Sequence, residues 1–386
     1  MKKKEKTSFI LILFSSFLIF SFIIKSNIST DIQSHSKMIV SLLEAGSFPV
    51  PPLYYALIFF ISGFSTNLGA LNLAAVLVLS ASVTYKFILS YYFSLNNLQY
   101  DTKKSNNSII LILSLSLIFS APIFYDIVTK GMYLGKLATN VWHNSTTILA
   151  MPFVILIFRD SLEFIKHSQP SKNLIVKVLI FGGTLILIKP SFLFALIPIF
   201  PLVVLLKTKK INKKVLIAFS ISLILGIGII YEYYLIYELD VYNSLSKDEE
   251  GGIVVSPFYF FNLYSKNIVV DAFVSLALPL SYCLLYPSDI LKSYKLKYSI
   301  FLFLFSLFIG IVFTETGKRA DHGNLTWQIV MSNYILFLVT LTLLYEKIQL
   351  YGASKWRNSF LLFVVFLHTA SGFFYLFKIL YFKSYF

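Results

Sequence analysis

A helix that crosses a bilayer core of roughly 30 Å needs about 20 consecutive apolar residues, and this 386-residue chain supplies such runs repeatedly. They extend from "FILILFSSFLIFSFII" (9–24) to "SFLLFVVFLHTASGFFYLF" (359–377). Inside hydrocarbon every backbone N–H and C=O must be satisfied within the protein, which leaves helices or a closed barrel. A barrel would show alternating segments of about ten residues, and none is present. Charged residues make up 13% of the chain, about half of what soluble domains carry. The expected fold is all-α: a polytopic transmembrane helical protein forming a single integral-membrane domain over 1–386.

Eleven spans are expected, at roughly 7–24, 67–93, 108–124, 146–158, 174–189, 191–206, 215–237, 269–287, 298–314, 328–345 and 359–380. The opening "MKKKEKTSFILILF" has the basic start of a signal peptide, but its apolar stretch is long and no small-residue cleavage site follows. It reads as an uncleaved first span with a cytoplasmic N-terminus. The segment "PPLYYALIFFISGF" (51–64) is apolar but too short to cross, and the preceding 32–46 alternates polar and apolar faces with Ile39, Leu42 and Leu43 on one side. The first outside loop, 25–66, is thus expected to hold two interfacial helices. With this topology 22 of the 33 Lys and Arg lie inside or near inner span ends, Lys86 and Lys177 among them, against 6 of the 18 acids. That is the positive-inside distribution.

The net charge of +15 does not imply nucleic acid, because the lysines occupy short loops between apolar runs. Cys283 is the only cysteine, which excludes an intrachain disulfide. His35, His143 and His322 with nearby carboxylates are metal-ligating types, but no HExxH or DxD spacing accompanies them. No metal or other cofactor is expected.

Polar chemistry concentrates in four outside segments. The first places Asp31 and His35 four residues apart, on one helical face. The second carries Asp126, Lys130, Lys136, Trp142, His143 and Asn144. The third is the acidic stretch 238–267, whose Asp248, Glu249 and Glu250 read as a solvated charge run. The fourth, "ETGKRADHGNLTWQ", carries Glu315, Lys318, Arg319, Asp321, His322, Asn324 and Trp327. Of three arginines only Arg319 lies outside, and a guanidinium fork binds phosphate oxygens as lysine cannot. Asp31 also suits a helix cap, and Trp142 and Trp327 suit interfacial anchoring.

A first span with its N-terminus inside, Asp31 in "TDIQSH" just after it, two short helices and then a string of spans resembles the GT-C superfamily of integral-membrane glycosyltransferases. The resemblance implies a sugar donor linked to polyprenyl phosphate and a glycan, lipid or protein acceptor at the outer leaflet. It also implies that Asp31, the acidic residue early in the first outside loop, is the catalytic base. The chain departs from that family in having no Asp-x-Asp or Glu-x-Asp motif and no large soluble domain after the last span. His35 would orient Asp31 or touch substrate, while Tyr54, Tyr55, Trp142 and Trp327 would stack on sugar rings. Asp126, Lys130, Lys136, His143, Asn144, Lys318, Arg319, Asp321, His322 and Asn324 complete the expected binding set.

Other classes remain open at this point: a lipid-linked saccharide transporter or flippase, or a polysaccharide polymerase. A transporter would place charges along a route through the spans, and Lys189, Glu232 and Asp271 fall instead near outer ends. Lysine-, isoleucine-, phenylalanine- and asparagine-rich usage suggests a bacterial plasma membrane. The transferase expectation requires the Asp31 carboxylate and the Arg319 guanidinium to converge on one pocket.

Overall fold

The computed structural model describes residues 3–28, 30–98, 107–125, 135–238 and 252–383. Asp126 and Lys130 lie outside the described residues, and so do the side chains of Lys318, Arg319 and His322. The expected meeting of Asp31 with Arg319 falls there too.

The chain begins with α1 (Lys3–Lys25), then two short helices, α2 (Asp31–Glu44) and α3 (Leu53–Ile61), before the long α4 (Leu68–Asn96). Next come α5 (Asn107–Ile118), α6 (Ser145–Lys166), α7 (Lys172–Ile188), α8 (Ser191–Thr208) and α9 (Lys213–Tyr233). A two-stranded ribbon of β1 (Ile253–Val255) and β2 (Phe313–Glu315) brackets α10 (Tyr259–Tyr264), α11 (Ile268–Ser275), α12 (Ala277–Leu285), α13 (Pro287–Lys292) and α14 (Tyr294–Val312). α15 (Trp327–Tyr351) and α16 (Trp356–Phe382) close the chain.

Among the described residues seven helices are long and apolar enough to cross a membrane; α11 and α12, bent by 66°, make an eighth if counted as one. The protein is a multi-pass membrane protein. The remaining expected crossings coincide with α5, α6 and α7. α5 has only 12 residues, α7 has 17, and α6 ends in the charged stretch from Arg159 to Lys166. The count of eleven therefore does not follow from length and hydropathy.

Burial sorts the helices into a centre and a rim. α15 is buried almost throughout and packs on α4, α5, α6, α8, α12, α14 and α16. Its Ser332, Asn333, Thr340 and Thr342 are all inside, which a helix facing lipid would not tolerate. α1 turns Phe20 and Ile23 inward and leaves Ile10, Leu11 and Phe14 exposed, as a rim helix with one face to lipid should.

α2 and α3 are the two short helices expected in the first outside loop. α2 buries Ile32, Ser36, Ile39 and Leu42, one residue per turn. α3, with 9 residues, is about 14 Å long; it packs on α4 and α7 instead of crossing.

One short two-stranded ribbon is set into the otherwise helical fold. Ile253 pairs with Glu315, Val254 with Thr314 and Val255 with Phe313, antiparallel. β-branched residues favour that pairing, and it ties the acidic third loop to the fourth. Beyond it, Gly323 turns the chain into α15 with φ +60°, where the Phe260 ring fills the space a Cβ would need.

Polar contacts divide the molecule into two ends. At one end meet the starts of α2 and α6, the α7–α8 joint, the end of α9 and the β2–α15 connection. At the other, Lys166 reaches Asn97, Lys295 reaches Asn97 and Glu346, Lys214 reaches the Ile165 and His167 carbonyls, and Lys347 reaches Asp289. Consecutive long segments thus run in alternate directions, and the start of α1 packs on the end of α4 through Phe9, Phe87 and Tyr91, so the α2–α3 loop stays at one end of the bundle without crossing it.

Candidate active site

The site grows from two helix starts that face each other. Asp31 is the first residue of α2, where the positive end of the helix dipole favours a carboxylate. Asn144 caps α6: its Oδ1 accepts the Thr147 N–H at 2.9 Å and the Thr146 hydroxyl at 3.2 Å. An amide oxygen committed to the cap turns the amide nitrogen outward, and Nδ2 donates to Asp31 Oδ2 at 2.7 Å. The cap thereby fixes the carboxylate and leaves Oδ1 for other work.

One turn along α2, His35 Nδ1 and the Tyr55 hydroxyl share a hydrogen bond of 2.7 Å. The His35 ring meets Tyr54 and Tyr55 edge-on at 5.6 and 5.2 Å. Burial lowers the His35 pKa to about 4, against the pull of Asp31 and with a further push from Lys189, so the imidazole is neutral near pH 7. Tyr54 is fully buried, and its hydroxyl lies near that of Ser145, yet neither makes a hydrogen bond of ordinary geometry.

Lys189 is the cation of this group. α7 stops at Ile188 because Pro190 denies its predecessor a helical conformation, and the extended Lys189 sits in the joint before α8. Its Nζ donates to Thr146 Oγ1 at 3.3 Å and lies 5.2 Å from the centre of the Trp327 ring. Burial lowers its pKa to about 8, opposed by Asp31, Glu315 and Glu232 in that order. His143 meets Trp327 edge-on at 5.8 Å, and burial lowers its pKa as well. The buried Glu315 accepts from Asn324 Nδ2 at 2.6 Å.

The structure therefore gathers Asp31, His35, Tyr54, Tyr55, His143, Asn144, Lys189, Glu232, Glu315 and Trp327 at one end of the bundle. Three of them, Lys189, Glu232 and Glu315, are absent from the binding set expected from sequence. The signal for Lys189 was present in "LIKPSF": a lysine before proline between two apolar runs.

Other expected residues lie elsewhere. Trp142 is buried against Phe20 and Phe119, at 5.8 and 5.9 Å; it is a core side chain, not a sugar platform. Lys136 pairs with buried Asp271 at 3.6 Å and lies over the Tyr125 ring, which makes it a strut between its loop and α11. Asp321 is exposed and accepts from the Tyr259 hydroxyl at 2.9 Å. Lys86 is not an inner-end anchor: it is buried, donates to Asn140 at 2.7 Å and faces the Tyr334 ring. Among the described residues no three His, Cys, Asp or Glu side chains cluster as a metal site.

No family model matches the chain, and no curated protein matches it. Among solved structures it is similar to the archaeal oligosaccharyltransferase AglB from Archaeoglobus fulgidus, determined in complex with an inhibitory peptide and a dolichol-phosphate. The match covers 96% of this chain and 56% of that one, with 12% sequence identity and a TM-score of 0.44. A likeness at that level assigns no activity, and the reading below is drawn from the residues of this chain.

Proposed function

We propose that this protein is a membrane glycosyltransferase that moves a sugar from a polyprenyl-phosphate carrier to a glycan, lipid or protein acceptor at the outer face of the membrane. The observation that carries the reading is a carboxylate held by a capping amide, within electrostatic reach of a buried lysine, at one end of the helix bundle. Acceptor hydroxyls are poor nucleophiles until a base takes the proton. Asp31 is that base, through the Oδ1 that Asn144 leaves unengaged. As the acceptor oxygen bonds to the anomeric carbon, the bond from that carbon to the phosphate oxygen breaks, and its electron pair stays with the phosphate. Lys189 faces the charge that develops there, in surroundings where water does not dilute its effect. Arg319 and Lys318 are further phosphate ligands on grounds of chemistry alone. Neutral His35 and His143 add no positive charge beside Lys189.

A carrier that shuttles its lipid between leaflets has less support. Its charges would follow a route between the two ends, whereas buried Lys86 is enclosed by Asn140 and Tyr334. The outer placement of the site rests on the excess of Lys and Arg at the opposite end.

The decisive experiment is Asp31→Asn, assayed for transfer from a polyprenyl-phosphate sugar in reconstituted membranes. Loss of about 10²–10⁴-fold in rate is expected, the range general-base catalysis supplies, with insertion and thermal unfolding unchanged. A variant that transfers sugar normally would remove Asp31 from this role. Single cysteines at 318 and 210, in a Cys283→Ser background, should label from outside and inside respectively; the reversed pattern would place the site at the cytoplasmic face.

A further inference from the structure

Lys189 stands at the centre of the polar group, and two of its neighbours have buried polar atoms with no partner. Glu232, near the end of α9, is 7% exposed, and its Oε2 accepts no hydrogen bond. It lies within electrostatic reach of Lys189. Trp327 opens α15, and its indole Nε1 is buried and donates to nothing. One face of that indole carries the Lys189 ammonium and its surroundings include the His143 ring, so the ring is not free to stack on a sugar there. What it offers is the N–H. A hydrogen bond left unmade at a buried group is destabilising, and two such groups beside one cation are not accounted for by packing.

Acceptor and donor are complementary. A carboxyl oxygen accepts a hydrogen bond from a hydroxyl, and an indole N–H donates one to a hydroxyl oxygen. A sugar hydroxyl does both. We infer that Glu232 and Trp327 form a sugar-reading subsite beside Lys189, where they bind hydroxyl groups of the sugar carried on the phosphate and set which sugar is accepted. This rests on the proposed glycosyltransfer reading and assigns the donor sugar's specificity to two residues outside the proton-transfer step. A site built to hydrogen-bond a hydroxyl rejects ligands that lack it, because its own groups are then left unpaired.

Sugar-free lipid phosphate and sugar-bearing lipid phosphate separate the two ideas. The full chain in nanodiscs would be titrated with a short-chain polyprenyl phosphate. It would then be titrated with the same lipid bearing glucose, galactose, mannose or N-acetylglucosamine. Wild type should bind the sugar-free lipid and at least one sugar-bearing form more tightly. Glu232→Gln and Trp327→Phe should each reduce that gain roughly tenfold, the effect of one hydrogen bond at a buried partner. Both should shift sugar-free binding far less than sugar-bearing binding, and the sugar-free binding they keep shows that they are folded. Equal weakening of both kinds of lipid, or of neither, overturns the subsite. So does a wild type that does not distinguish sugar-bearing from sugar-free lipid. A wild type that binds no polyprenyl phosphate at all overturns the donor reading itself, and the subsite with it.

Discussion

The two ends of the bundle treat buried polar groups in opposite ways. At the lysine-rich end they are paired. Lys295 meets Glu346 at 2.6 Å and the Asn97 carbonyl at 2.8 Å; Lys347 and the Tyr282 hydroxyl converge on Asp289. Lys214 and Lys207 close on the last carbonyls of α6, the arrangement a helix C-terminus favours. Only Asp160 Oδ2 and Tyr345 Oη stand out there, among the described residues, as buried atoms without a partner. At the Asp31 end the orphaned atoms include Thr30 Oγ1, Tyr54 Oη, Ser145 Oγ, Thr147 Oγ1, Glu232 Oε2 and Trp327 Nε1. Native interiors satisfy almost all buried polar groups. Under the proposed function, the end that satisfies them serves stability, and the end that leaves several open receives the polar substrate.

That contrast predicts that the same kind of substitution has different consequences at the two ends. Glu346→Gln removes the charge partner of a buried lysine and should destabilise the protein by about 3 kcal/mol, the lower end for a broken buried pair, because the Asn97 carbonyl remains. Sugar transfer per folded molecule should stay near wild type. Asp31→Asn should show the reverse, a rate loss of about 10²–10⁴-fold with unfolding in detergent unchanged. If both substitutions cost mainly stability, the two ends are alike and the open groups mark nothing.

A smaller effect sharpens the role of the cation. The proposed mechanism needs Lys189 charged, and burial has lowered its pKa to about 8. Raising the pH removes its proton, so binding of lipid phosphate should fall above pH 8 by about tenfold per unit and be level below it. Lys189→Arg keeps a charge that does not titrate in this range and should abolish the alkaline fall, even if its fork fits the phosphate less well. Lys189→Gln should weaken binding at every pH. An alkaline fall that persists unchanged in the arginine variant would assign it to another group.

Much of the fold was legible because its signals are local. Apolar run length marked the spans, and the period of Ile39 and Leu42 with the brevity of "LYYALIFFI" marked α2 and α3. The ribbon was not legible: Ile253–Val255 is three residues long, and its partner lies beyond five intervening helices. Within the site, the sequence pointed to Asp31, His143 and Asn144 through their place in polar loops between spans. Lys189 read as a span end, since nothing local shows that Thr146, Trp327 and Glu315 surround it. Trp142 failed in the opposite sense. A tryptophan in a polar loop resembles an exposed platform until Phe20 and Phe119, from other segments, are seen to enclose it.

The smallest effect lies with Asn144, which joins the structural and chemical roles in one amide. Its oxygen caps α6 and its nitrogen holds Asp31, so substitutions can divide them. Asn144→Ala removes both and should cost about 1 kcal/mol of stability for the lost cap, besides activity. Asn144→Ser keeps a good cap but has no group long enough to hold Asp31 Oδ2. Its thermal unfolding should match wild type, while its turnover falls roughly tenfold, the weight of one hydrogen bond to a charged group. The KM for donor should hardly move, because Asn144 acts through Asp31 and not on the lipid phosphate. A serine variant with wild-type turnover would show that Asp31 is positioned by α2 alone. A serine variant as unstable as the alanine one would show that the cap depends on the amide.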